Sequence, residues 1–236
     1  LLFREEPNRQ INKFDTSIGK LLVLGASSPT GKLIVKRALE LGWSVAVYGR
    51  RTLPEHAGNA DVRTVQGQLD DEENLLAAIS GQDVIISVLG PSIPPTNLDV
   101  FVPAYQLILK TMRSLGVKRI IALSTYSVVD PRDKPNFLRW VITTTLWALA
   151  HKVWKTVVDI AAFFDAEGGD DIDWTLFRVG YLANGPPMKV IEGYVGDGTA
   201  GMYLRRADIA EWTLAQASKD RPSFVHEKPG LSSIKT

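Results

Sequence analysis

The sequence predicts an α/β fold in which a doubly wound, mostly parallel sheet is flanked by helices. Three observations carry this. Short runs that are apolar throughout recur along the chain, as strands buried on both faces require. Longer stretches with apolar residues at three- and four-residue spacing separate them, which makes alternating strand and helix units. Glycines then punctuate the joins.

The first apolar run, residues 21–24, leads through a glycine-bearing turn into a helical stretch at 31–41. The second run is 44–48, and a shorter third is 62–65 before the helical stretch 72–79. Runs at 84–89 and 119–123 bracket a helical stretch at 102–115. A long helix is expected over 136–165, then a sixth strand at 174–179. Gly42, Gly81 and Gly116 each follow a helical stretch, where an achiral residue takes the left-handed conformation that ends a helix. After residue 180 the regularity fades. Gly185-Pro186-Pro187 and the glycines of 193–201 break the pattern, and a last helix covers 207–218.

Composition narrows the function classes. The chain has 236 residues, 45% hydrophobic and 22% charged, which excludes disorder and collagen-like repetition. A domain over 20–236 is expected, with 1–19 as an amino-terminal extension and 181–236 forming a small C-terminal region of substrate-binding loops. At this length the fold buries roughly 70 to 75% of its unfolded surface without covalent staples. Cys is 0, which excludes disulfides, thiolate metal sites and a cysteine nucleophile; no metal site is expected. Lys plus Arg is 27 against 26 for Asp plus Glu, so no global field attracts nucleic acid or an anionic membrane. Any anion must be held locally. The charged amino terminus has no signal-like apolar core, and the apolar region 137–150 contains Arg139 and falls short of the ~20 residues of a membrane span. A soluble cytoplasmic protein is expected.

The turn Gly25-Ala26-Ser27-Ser28-Pro29-Thr30-Gly31 is the most informative segment. Strand, glycine turn and helix in this order are the start of a Rossmann-type dinucleotide fold, in which the first glycine allows the tight turn and the last allows close packing of helix on strand. Gly25 and Gly31 fill those places, and Ser28 stands at the middle glycine's position. Ser27, Ser28, Pro29 and Thr30 then line a pyrophosphate at the positive end of the helix. An ordinary Gly-Pro turn is the plain alternative, disfavoured by the strand before and the helix after. Gly31-Lys32 superficially suggests a nucleotide hydrolase, but Leu33 replaces the Ser or Thr that would hold magnesium.

The second strand ends in Tyr48-Gly49-Arg50-Arg51, where an NAD site would put a carboxylate on the ribose 2′-hydroxyl. Two guanidinium groups there suit a 2′-phosphate through bidentate, charge-assisted bonds, so NADP(H) is the expected cofactor. An exposed basic turn is the alternative. Leu69-Asp70 follows the third strand and Leu89-Gly90-Pro91 ends the fourth, both at carboxyl ends of strands, where open α/β sheets bind ligands.

With these segments, and with Gly67-Gln68-Leu69-Asp70, Ser124-Thr125-Tyr126 and Asp173-Trp174-Thr175-Leu176-Phe177-Arg178-Val179-Gly180, the chain resembles the atypical short-chain dehydrogenase/reductase superfamily, specifically its NmrA-like and biliverdin/flavin-reductase-like NAD(P)-binding members. The resemblance covers residues 20–218. It implies that Val179 and Gly180 approach the nicotinamide and that Tyr181 and Pro91 face the substrate. Val179 stands where the family motif has proline. The classical catalytic tyrosine is followed four residues later by a lysine, and Asp130 holds that place after Tyr126. Standard tyrosine-lysine carbonyl reduction is therefore not supported. Ser124 and Tyr126 would share one face of a continuing strand and both reach a ligand.

Trp140, Trp147 and Trp154 are spaced by seven, so on one helix they lie within ~40° of each other, with His151 among them and Lys155 at the border. A core face or a homodimer seam is the plain use of such a face. The resemblance instead carries this helix past the active site, with Trp140 and Trp147 lining a flat apolar pocket. His151 is a candidate acid or base. Lys155 with Asp159 is similar to the family's lysine-to-carboxylate pair, or forms a simple helical ion pair, and Lys152 competes for the same role.

The resulting expectation is an NADPH-dependent reductase of a small apolar or aromatic molecule, polycyclic in the manner of secondary metabolites, with Tyr126, Ser124, His151, Lys155 or a water handling the proton. A redox-neutral isomerase or cyclase on the same scaffold, and a non-enzymatic NADP sensor, are the alternatives.

Overall fold

A computed structural model of the chain describes residues 18–91 and 97–233. In chain order the helices and strands are β1 (Lys20–Leu24), α1 (Pro29–Glu40), β2 (Ser44–Gly49), β3 (Val62–Gln66), α2 (Glu72–Ile79), β4 (Val84–Ser87), α3 (Phe101–Leu115), β5 (Arg119–Thr125), α4 (Phe137–Leu149), α5 (His151–Glu167), β6 (Asp173–Val179), β7 (Tyr181–Ala183), β8 (Val190–Gly193), β9 (Tyr203–Arg205), α6 (Arg206–Ala217) and β10 (Gly230–Ser233). Eight strands form one sheet in the order β3-β2-β1-β4-β5-β6-β10-β8. Every pairing from β3 to β10 is parallel, and β8 closes the edge antiparallel to β10. The fold is thus the expected Rossmann-type α/β sheet.

Alternation along β1 explains the two cores. Leu22 and Leu24 face α2, α3 and α5 through Leu75, Tyr105, Ile108 and Phe164. Leu21 and Val23 face α1 and α6 through Ile34, Val35, Ile209 and Leu214. Successive side chains of a strand point to opposite faces, so both halves of this run must be apolar. Gly42, Gly81 and Gly116 have φ of +86°, +71° and +72°, the left-handed values expected of them.

The structure corrects two expectations. The helix expected over 136–165 is two helices, broken at Ala150 (φ −137°, ψ 46°). No glycine or proline marks the break. The two helices differ in packing: α5 buries Thr156, Ile160, Ala161 and Phe164, whereas α4 buries no residue. The region after 180 is also more regular than expected, because β10 pairs with the edge of β6 and β7 pairs with β9 in a separate small sheet. Most of the expected amino-terminal extension lies outside the described residues. Among those described, no helix is long and apolar enough to cross a membrane.

Candidate nucleotide-binding site

The site begins where β1 ends. Leu24 is in register with Tyr48 of β2 and Ser87 of β4, so the turn after β1 opens between neighbours whose crossovers run to opposite sides. That reversal of strand order is where open parallel sheets form a ligand crevice. Gly25 has φ +81°, and a Cβ there would stand 3.1 Å from the backbone of Val88. At Gly31 a Cβ would collide with the Gly25 carbonyl oxygen and lie 2.7 Å from Ala26 Cα. Glycine at 31 therefore lets α1 start directly against β1.

Ser28 caps α1: its Oγ accepts from Gly31 N at 3.0 Å, and its own amide donates to Gly25 O at 3.0 Å. Pro29 occupies the first helical position, where a missing N–H costs nothing. No acidic residue sits in the first turn, so the positive end of α1 is not neutralised locally. Ser27 and Pro29 are exposed at the turn and Thr30 is buried beneath it.

At the end of β2, Arg50 and Arg51 are exposed. Their backbone is fixed from the neighbouring strand, because Gln66 Nε2 donates to Arg50 O at 3.0 Å. Below them the Tyr48 hydroxyl donates to the Gln68 carbonyl, and its ring fills the space that glycine leaves at 67. Burial, with Asp71 and Asp70 nearby, raises the Tyr48 pKa to about 12. Leu69 is half-buried against the core and Asp70 is exposed. At the end of β4, Leu89 and Pro91 are half-buried and Gly90 is exposed, above a Ser87–Tyr105 hydroxyl contact of 2.8 Å.

The ends of β5 and β6 are strapped together by a buried ion pair. Arg178, wholly buried and in register with Ser124, donates from Nη1 and Nη2 to the two carboxylate oxygens of Asp133 at 2.6 and 2.8 Å. It also donates to Val128 O and Lys228 O. Burial pulls the Asp133 carboxyl upward, but bonds from Arg178 and backbone amides outweigh it and hold the pKa below the usual carboxylate range. Arg139 of α4 donates to Tyr126 O at 2.9 Å. These bonds shape an open cleft of about 600 Å³ lined by Val129, Asp133, Lys134, Phe137, Arg139 and Trp140.

The expected proton donors are not gathered at one point. Tyr126 is 2% exposed, and its hydroxyl donates to Gly201 O at 2.9 Å, with Leu231 O at 3.2 Å. Burial raises its pKa to about 12. Ser124 is likewise buried. His151 is exposed, with Trp147 edge-on at 5.6 Å and Trp154 stacked at 5.7 Å. Lys155 is exposed and pairs with Asp159 at 2.6 Å, the simple helical alternative. Among the described residues no hydrogen bond or ring contact links Tyr126 to either. Trp140 borders the cleft, whereas Trp147 lies farther along α4 and Trp154 belongs to α5. Val179 is buried, Gly180 abuts the Met202 carbonyl, and Tyr181 is 71% exposed, stacked on Tyr203 at 6.3 Å. No group of three His, Cys, Asp or Glu among the described residues could hold a metal ion.

Sequence reasoning did not single out Asp133, Arg139 or the role of Arg178. A signal was present: a lone arginine inside an apolar strand must find a buried partner. The partner, 45 residues earlier, follows no local pattern.

Comparison with known proteins agrees with this geometry. Residues 25–220 match the family model described as NAD(P)H-binding. An isoflavone reductase homolog of Zea mays is 27% identical over 229 residues, covering 91% of this chain and 70% of that protein. A short-chain dehydrogenase/reductase of Veillonella parvula, solved in complex with NADP, superposes with a TM-score of 0.73 at 14% identity, covering 92% of this chain and 96% of the other. An anaerobillin reductase of Escherichia coli O157:H7 gives 0.66 at 19% identity over 92% and 99%. The glycine turn, the strand order and the matched span, which takes in most of the sequence, together identify the chain as a member of the NAD(P)H-binding family.

Proposed function

We propose that the chain is an NADPH-dependent reductase of a small apolar or aromatic substrate. One observation carries the choice of NADPH over NADH: Arg50 and Arg51 stand exposed at the end of β2, beside the glycine turn, with no carboxylate in residues 43–54. The residues fit a dinucleotide. A side chain at Gly25 would press on Val88 and one at Gly31 on the Gly25 carbonyl, so glycine at both keeps the turn tight, and the capped start of α1 offers a positive end to the pyrophosphate. When bound, the nicotinamide supplies the hydride. This chain's part is to seat the pyrophosphate on Ser27 to Gly31 and the 2′-phosphate on Arg50 and Arg51. Leu89, Gly90, Val179 and Gly180 would border the ring, with Tyr181 and other residues after 180 beside the substrate. The cleft of Phe137 and Trp140 offers an apolar wall for a flat molecule. With the Tyr126 hydroxyl spent on backbone carbonyls, the open cleft admits solvent as the proton source.

That same hydroxyl favours a second reading, in which the scaffold runs a redox-neutral isomerisation or cyclisation. Incubating the protein with NADPH and a panel of flat, apolar carbonyl and enone compounds separates these readings. Nucleotide oxidation matched by product supports the reductase. Product without oxidation supports the isomerase, and tight NADPH binding with no product across the panel supports a sensor.

A further inference from the structure

Helix α4 presents an apolar surface that no part of the described chain covers. Its exposed positions run from Phe137 to Leu149 and span roughly 220° of the helix circumference at ~100° per residue. Phe137 is 77% exposed, Trp140 61%, Trp147 52% and Leu149 83%, with Leu138, Val141 and Ile142 also open; Phe137 and Trp140 also border the cleft, so this face is continuous with the cleft mouth. Arg139 is the only charged residue of α4, and it turns inward to the Tyr126 and Val128 carbonyls. The outer face is therefore uncharged, with Thr144 and Thr145 as its polar side chains, and Trp140 and Trp147 sit at one margin of it.

We propose that α4 lies in the interfacial plane of an anionic lipid bilayer and docks the protein there. Three observations choose a bilayer over a second copy of the chain. The uncovered arc is about twice the width of the stripe a helix buries against another helix, whereas a bilayer surface envelops the whole outer half of a helix lying in it. Tryptophans at the margin of the apolar arc would sit at headgroup level, where an indole keeps its ring in apolar surroundings and its N–H in polar ones. Charge adds the third argument. No acidic residue occurs in 134–158, and the Lys134 and Lys152 ammonium groups, just before and just after α4, make no hydrogen bond or ion pair among the described residues. Two copies pairing antiparallel through α4 would bring these lysines together with no carboxylate between them. Phosphate and carboxylate headgroups would instead neutralise them. At 13 residues, α4 is too short to cross a bilayer, so it lies along the surface.

The test sediments the full chain with vesicles of phosphatidylcholine alone or mixed with phosphatidylserine. Binding to the mixed vesicles, weak or no binding to the neutral ones, and a blue shift of tryptophan emission quenched by brominated lipid are expected. Leu138→Glu with Leu149→Glu should abolish sedimentation while leaving the melting temperature unchanged, since both side chains are exposed. Lys134→Ala with Lys152→Ala should weaken binding by about tenfold or more. Equal binding to both vesicle types, or none to either, overturns the proposal. So does a concentration-dependent dimer in light scattering that the double glutamate variant dissociates in the absence of vesicle binding, which would assign the face to a second copy.

Discussion

Gly31 stands so close to Gly25 that the Gly25 carbonyl oxygen occupies the space a side chain at 31 would need. The contact lets the first turn of α1 begin against the end of β1, with Ser28 tying the two by one bond to each. The positive end of the helix is thereby aimed over the carboxyl edge of the sheet.

Gly31→Ala should therefore do two things together. Forcing a methyl group between two backbones costs on the order of 1–3 kcal/mol, visible as a lower denaturation midpoint, and NADPH affinity should fall because the turn must open. Ser28→Ala removes only the cap. It should cost ~1 kcal/mol and leave the turn's path intact.

Tyr126 separates a structural from a catalytic role. Its hydroxyl is bonded to Gly201 O, so Tyr126→Phe should lower stability by about 1 kcal/mol and leave any turnover within about twofold. A loss of turnover of a hundredfold or more, with the melting temperature preserved, would restore the tyrosine as proton donor.

The Arg178–Asp133 pair predicts an acid-sensitive fold. Asp133 is held below its ordinary pKa in the folded chain, so its contribution to stability is complete above the unfolded value of about 3.9 and is lost as pH falls through the lower folded value. Urea midpoints measured across that window should decline in the natural chain. Asp133→Ala leaves a buried guanidinium uncompensated and should cost about 3–5 kcal/mol at neutral pH.

Lys155 should matter little to the fold. Its pairing with Asp159 is exposed, and Lys155→Ala should change stability by no more than ~0.5 kcal/mol. A large loss of turnover in that variant would place the ammonium on a substrate or cofactor.

Much of this architecture was legible from local pattern. The six strands expected before residue 180 appear where apolar runs stand, and the α1 turn announces itself because its glycines are required by close backbone contacts. The break at Ala150 was not legible, since no glycine or proline marks it and the spacing of Trp140, Trp147 and Trp154 continues a helical period across the join. Strands β7 to β10 escaped because four or fewer residues carry too little alternation, and their pairing depends on sheet edges set far away in sequence. Asp133 escaped for the same reason: its meaning lies in Arg178.

In the proposed function, Arg50 and Arg51 hold the 2′-phosphate of NADPH. Titrating the natural chain and the Arg50→Ala, Arg51→Ala double variant with NADPH and NADH, followed by nucleotide fluorescence, tests it directly. The natural chain should prefer NADPH, and the double variant should bind NADPH roughly ten- to a hundredfold more weakly, the loss of charge-assisted bonds worth ~1.5–3 kcal/mol, with NADH affinity unchanged. An NADPH affinity untouched by the two substitutions would contradict it.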